Sequence, residues 1–334
     1  MIMLRLNVTL MMAWMLTGCS TDSSDSSTSD ADTDTDTDTD TDMDTDTDTD
    51  TDSDTDTDTD TDTDSGGDAA AVCARWNSDR ADLDEGEWSG SVSACDPGDI
   101  SETGRANALR VLNLYRFLAD LPAVATDPQR NARAQACALM MTAEGNLSHS
   151  PSTDWACYSA DGADAAGSSN ISSSPGVASV DSYMIDAGNN TTLGHRRWIL
   201  SNSLGPVGLG SSGSGASCMW TLQGSGNAGA EWTAWPSPGV FPIAANSNRW
   251  WSMDDTGWSI QSDNINLNNA SVTVTANGND LPVTVTGLAS GYGSRYAISI
   301  IPDGWGMTAD TTYEVSASGI DTPISYSFRA VNCD

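Results

Sequence analysis

Apolar positions recur at helical spacing in the first half of the chain and gather into short, glycine-separated or alternating runs in the second half. A first helix is predicted from the capping box Asp99-x-x-Glu102 to about Asp120, with Ala108, Val111, Leu112, Tyr115 and Leu118 on one face. A second is predicted from the cap Asp127-Pro128 to Gly145, burying Ala132, Ala136, Leu139, Met140 and Ala143. A third runs from Ser174-Pro175 to Gly188 on Val177, Val180 and Met184, and a short fourth starts near Thr192.

Beyond Ser203 the runs Pro206 to Gly210, Ser217 to Gln223 and Glu231 to Trp235 read as strands of a small antiparallel sheet. Helices followed by such a sheet predict an α/β/α sandwich, and the Pro-rich passage Trp235 to Pro242 predicts a boundary near residue 240. From about Trp250 the pattern is all β. Ser271 to Ala276 and Leu281 to Thr286 form a hairpin about Asn277-Gly278, followed by strands at Arg295 to Ile301, Thr312 to Ser318 and Ser325 to Val331. This spacing predicts a small immunoglobulin-like β-sandwich over 241–334, whose Trp258, Tyr292 and Trp305 are expected in core and rim.

The N-terminal part has a different character. Residues 1–19 pair Arg5 with an apolar run, Leu10 to Leu16, which is shorter than the roughly 20 residues that span a bilayer. The run ends in Leu16-Thr17-Gly18-Cys19, similar to a bacterial lipoprotein cleavage site. This implies a lipid on Cys19 and, with Ser20 following, sorting to the outer membrane or surface of a Gram-negative cell. A plain secretory leader with a stray cysteine is the other reading. Residues 20–68 are a Thr-Asp repeat with no apolar face, so they are expected as a disordered acidic tether. As a flexible coil it would span about 40 Å, rising toward roughly 160 Å as the charges repel.

The net charge of -34 is concentrated in that tether. It holds 21 Asp and no base, leaving 26 acidic and 12 basic residues over 69–334, a net of -14. With no lysine and scattered arginines, a nucleic-acid partner is excluded. Apart from Cys19, six cysteines remain, an even number in an exported chain, which predicts three disulfides among fifteen pairings. Pairing neighbours in order gives Cys73–Cys95, Cys137–Cys157 and Cys218–Cys333.

Four short motifs carry a resemblance. Asn113-Leu-Tyr-Arg116, Leu147-Ser-His-Ser-Pro151, Ser169-Asn170-Ile171 and Gly194-His-Arg-Arg-Trp-Ile-Leu200 follow the order of the motifs of the CAP superfamily, the cysteine-rich secretory, antigen 5 and pathogenesis-related proteins. The region 69–240 thus looks like a CAP domain. The resemblance implies a cleft lined by two His and two Glu, often holding a divalent cation. His149 and His195, the only histidines of the chain, match the two His positions. Ser169 stands where the first Glu is expected, and Asp186 in Tyr183-Met-Ile-Asp aligns with the second.

That set implies His149, Asp186 and His195 as ligands of Zn²⁺ or another divalent cation, with a fourth position open to water. One functional expectation is a surface-anchored binding module for a lipid, peptide or protein. A metal-dependent hydrolase or protease using the same cleft is the alternative, and a passive envelope spacer is a third reading. A serine-hydrolase arrangement would take Ser169 as nucleophile, His149 or His195 as base and Asp186 as orienter. Without metal, the histidines would form a hydrogen-bonded cleft pair. Arg196-Arg197 would hold an anion or serve as salt-bridged structural residues.

Overall fold

The structure, a computed structural model, describes residues 68–334. The leader 1–19, Cys19 and the tether up to Gly67 lie outside the described residues. Among the described residues no helix is long and apolar enough to cross a membrane. The described residues belong to one compact unit, and its largest apolar core runs from Val72 to Cys333.

The chain enters through α1 (Ala69–Asp79), capped by the Asp68 carboxylate. Helix α2 (Glu102–Leu118) is capped by Ser101 rather than by the expected Asp99, which instead pairs with Arg105. Helix α3 (Pro128–Glu144) follows its sequence signals at both ends: Asp127 accepts from Gln129 and Arg130, and Gly145 closes it in the left-handed conformation. Helix α4 (Ala160–Ser168), composed almost wholly of Ala, Gly and Asp, leads straight into β1 (Ser169–Ser172). Helix α5 (Gly176–Ile185) has no side-chain cap of its own. Glu85 supplies one from a distant loop, accepting from the Val177 and Ala178 amides at 2.6 and 2.7 Å. Helix α6 (Gly194–Ile199) follows a left-handed Leu193.

Strands β2 (Gly208–Ser211) and β3 (Ser217–Trp220) complete an antiparallel sheet ordered β1-β3-β2. Its side chains divide with the period of two. Leu209 and Met219, paired in register, join the core of α2 and α5, whereas Ile171, Cys218 and Trp220 join α3 and α4. Helix α3 lies so close to β2 that a Cβ at Gly210 would sit 2.2 Å from the Ala134 carbonyl carbon. The glycine spacing of β2 therefore sets the helix-to-sheet distance.

The expected third strand of this sheet, Glu231 to Trp235, belongs elsewhere. It is β4 (Thr233–Trp235) and pairs with β6 (Trp258–Ser262), while β1 takes the vacated place. The Pro-rich passage likewise supplies β5 (Gly239–Pro242), and a short α7 (Met253–Thr256) precedes β6. The hairpin of β7 (Ser271–Ala276) and β8 (Asn279–Leu281) turns at Asn277-Gly278 as predicted. Its second strand stops at Pro282, which has no amide to donate, and β9 (Val283–Gly287) crosses to the other sheet. With β10 (Tyr296–Pro302), β11 (Thr311–Ser318) and β12 (Ile324–Val331), the strands form sheets ordered β4-β6-β10-β9 and β5-β12-β11-β7-β8. All pairs are antiparallel except β5 with β12. The fold is thus mixed α/β with several antiparallel sheets.

None of the neighbouring cysteine pairings forms. The disulfides are Cys73–Cys333, Cys95–Cys157 and Cys137–Cys218. The last joins α3 to the β3 face that packs on it, and the first ties α1 to the end of the chain. Both are set by contacts that sequence order does not reveal.

Two buried phenols give a first expected result. Burial holds the Tyr115 and Tyr183 hydroxyls above the ordinary range, and for Tyr115 the Asp181 carboxylate adds to the effect. A folded pKa above the unfolded value of about 10 contributes stability that is complete below that value and is lost as pH rises beyond it. Phenolate absorbance should therefore show both remaining protonated through the ordinary tyrosine range until the chain unfolds. Full ionisation of all seven tyrosines in the folded state would contradict their burial.

Candidate functional site

The four motifs of the first region have separate structural tasks. In the first, Asn113 clamps the chain after α2, accepting from the Val124 amide and donating to its carbonyl at 2.9 Å each. Arg116, fully buried, donates to the carbonyls of Pro122, Ile199 and Ser201. Burial lowers its pKa to about 10, so it remains charged at neutral pH. This motif fixes the end of α6 against α2.

The second and third motifs meet at the end of α4. The last carbonyls of a helix lack partners within it. His149 uses one of them: its Nδ1 lies 2.9 Å from the Ala166 oxygen. A carbonyl only accepts, so Nδ1 carries the proton, and in the neutral ring Nε2 then keeps the lone pair. Ser169, the first residue of β1, is 1 % exposed and its hydroxyl has no hydrogen-bond partner among the described residues. Asn170 donates to the His195 carbonyl at 3.0 Å, and its own carbonyl accepts from Tyr183.

The fourth motif presents His195 from the first turn of α6. Its Nδ1 lies 2.9 Å from Asp186 Oδ1, and the Tyr183 ring packs against it at 5.0 Å. Asp186 ends α5 two residues before the expected Gly188, in a left-handed turn that aims its carboxylate back at the histidine. A lone pair facing that carboxylate would be repelled, so Nδ1 of His195 also carries the proton. Asn189 donates to the same oxygen at 2.7 Å; its 3.1 Å approach to His195 Nδ1 is then two donors sharing one acceptor.

The expected ligand set of His149, Asp186 and His195 is not assembled. Asp186 is fully buried; Oδ1 serves His195 and Asn189, and Oδ2 accepts from the Arg196 amide. It stands behind the imidazole as an orienting carboxylate. With Ser169 in the other acidic position, the cleft offers two imidazoles and no third strong donor. Among the described residues no group of three or more His, Cys, Asp and Glu is placed to hold a metal ion. Zn²⁺ therefore does not fit the donors present. The serine-hydrolase arrangement also fails to form, because neither imidazole hydrogen-bonds Ser169 Oγ.

His149 and His195 nevertheless line one cleft of about 400 Å³ together with Ser169, Asn170, Trp198 and Tyr292. Its lining contains no Asp, Glu, Lys or Arg. Among the described residues each ring bonds through Nδ1 and neither Nε2 has a protein partner.

Residues 109–224 match the model of the CAP family, described as the cysteine-rich secretory protein family. Over these residues the chain is similar to the CAP family. No curated protein and no solved structure matches the chain. The CAP match ends before β4, so the two later sheets lie beyond it.

Those sheets still shape the CAP cleft through the arginine pair, whose role differs from both expectations. Arg196, fully buried, donates to Met184 and Ile185 at the end of α5 and to Gly257 before β6, at 2.6, 3.1 and 2.7 Å. Arg197 donates to Thr192, Ala289 and Ser294 carbonyls at 2.9, 2.7 and 3.0 Å. Burial lowers both to about 10, and among the described residues neither pairs with a carboxylate side chain. They bind carbonyls on both sides of the junction instead of an anion. Trp258 and Trp305 lie in an aromatic core as expected, but Tyr292 lines the cleft. Nothing in its local sequence distinguishes it from a rim residue.

Proposed function

We propose that the chain is an extracytoplasmic binding module, held at the cell envelope by a lipid on Cys19 and lifted by the acidic tether to the outer membrane or cell surface. The CAP match supports an extracellular interaction module. The observation that carries the reading is the uncharged cleft, with both Nε2 atoms unengaged and no nucleophile–base pair or three-ligand metal set assembled within it. The finer architecture belongs to the same proposal. The alternation of Leu209 and Met219 against Ile171 and Cys218 supports an α/β/α sandwich, and the two later sheets sharing one core support a β-sandwich beside it.

The test uses the full chain. Diethyl pyrocarbonate modifies free imidazole nitrogens, and two histidines make its products easy to assign by mass. Soluble envelope extract should slow modification of His195, whereas generic ester and peptide substrates should not turn over. Turnover abolished by His195→Ala would contradict the binding reading in favour of a hydrolase. Cys19→Ala should move the chain from the membrane to the soluble fraction; unchanged membrane retention would contradict the lipid anchor.

A further inference from the structure

The loop between β9 and β10 lies on the fourth CAP motif. Arg197 holds the Ala289 and Ser294 carbonyls, Ala289 donates to the Thr191 carbonyl at 3.0 Å, and Leu288 packs with Leu193 and Ala297. Tyr292, at the centre of this loop and 40 % exposed, forms part of the cleft wall. Its ring comes so close to α6 that a Cβ on Gly194 would lie 2.8 Å from Tyr292 Cδ1.

We propose that the cleft is a composite site for a neutral, hydroxyl-rich saccharide chain, with Tyr292 as the stacking wall contributed by the C-terminal sheets. The proposal rests on the binding-module reading and names its ligand class. Ligand pockets orient their guests with a few placed polar groups on an apolar lining. Here the polar groups are uncharged: two Nε2 acceptors, the unpartnered Ser169 hydroxyl, and the hydroxyls and amide of Thr191, Thr192 and Asn189. A buried hydroxyl without a partner is costly, and a sugar hydroxyl would satisfy it. Tyr292 and Trp198 add flat aromatic faces, against which the C–H face of a pyranose packs.

Other ligand classes fit less well. A phosphorylated or acidic ligand would find no lysine or arginine in the lining. A lipid chain would desolvate the Asn, Ser and Thr groups without replacing their bonds.

The probes are chitotetraose, cellotetraose and maltotetraose, all uncharged, added to the full chain at millimolar concentration. At least one should slow diethyl pyrocarbonate modification of His195 and change tryptophan fluorescence. Tyr292→Ala should weaken that binding roughly three- to ten-fold, the range for loss of an aromatic contact, and Tyr292→Phe should retain it. Protection by a tetraose that Tyr292→Ala leaves unchanged would overturn the composite wall. If no tetraose protects but envelope extract does, the saccharide proposal falls and the binding module stands. If neither protects, both fall.

Discussion

Arg196→Ala is expected to lower the free energy of unfolding by about 3–5 kcal/mol, read from urea denaturation of the described region. The guanidinium is fully buried and reaches Met184, Ile185 and Gly257 at once. Truncation would leave those carbonyls in the interior without donors and open a cavity between α5 and β6. Arg196→Lys should recover little of the loss, because one ammonium on a flexible stem cannot cover the same fork of acceptors. A loss below about 1 kcal/mol would show that this junction is not held by the arginine.

Breaking the terminal disulfide is the second large expected effect. Cys73–Cys333 closes a separation of 260 residues, against 62 and 81 for the other two. In the chain-entropy account, a loop of that length contributes about 5 kcal/mol, roughly 1 kcal/mol more than either shorter loop. Cys73→Ser with Cys333→Ser should therefore cost more than the corresponding Cys95 and Cys157 double variant. The native contacts beside it add to this, since Asn77 donates to the Cys333 carbonyl at 2.6 Å. A smaller loss than that of the surface Cys95–Cys157 pair would contradict this order. Peptide mapping without reduction checks the pairing itself.

The parts legible in the sequence were those written in local chemistry. Asp127-Pro128 and Gly145 mark α3 because capping and the left-handed turn are local needs. Asn277-Gly278 marks the hairpin for the same reason. Helix α4 carried no apolar stripe, since its Ala and Gly residues bury small surfaces against α3. Strand β1 was too short and polar to stand out, although it carries Ser169 and Asn170. The sheet change at Pro282 follows from a missing amide, yet the partner that β9 then finds is a tertiary fact.

The same division holds within the cleft. The family resemblance located both histidines and Asp186. The sequence could not show that Asp186 turns away from the cleft to hold His195, because that depends on a left-handed residue ending α5 early. Nor could it place Tyr292, which arrives from a loop about a hundred residues away through Arg197. An arginine pair beside a short helix reads as an anion site or as salt-bridged structural residues until the carbonyls around it are known.

Both imidazoles are held at Nδ1 and, in the neutral ring, offer an unprotonated Nε2 to the cleft. Long-range ¹⁵N–¹H NMR on the full chain, above the range in which histidine titrates, reports the tautomer of each ring directly. Both His149 and His195 should be in the Nδ1–H form, His149 through Ala166 and His195 through Asp186. An Nε2–H tautomer at either ring would contradict these hydrogen bonds and the pair of acceptors in the cleft.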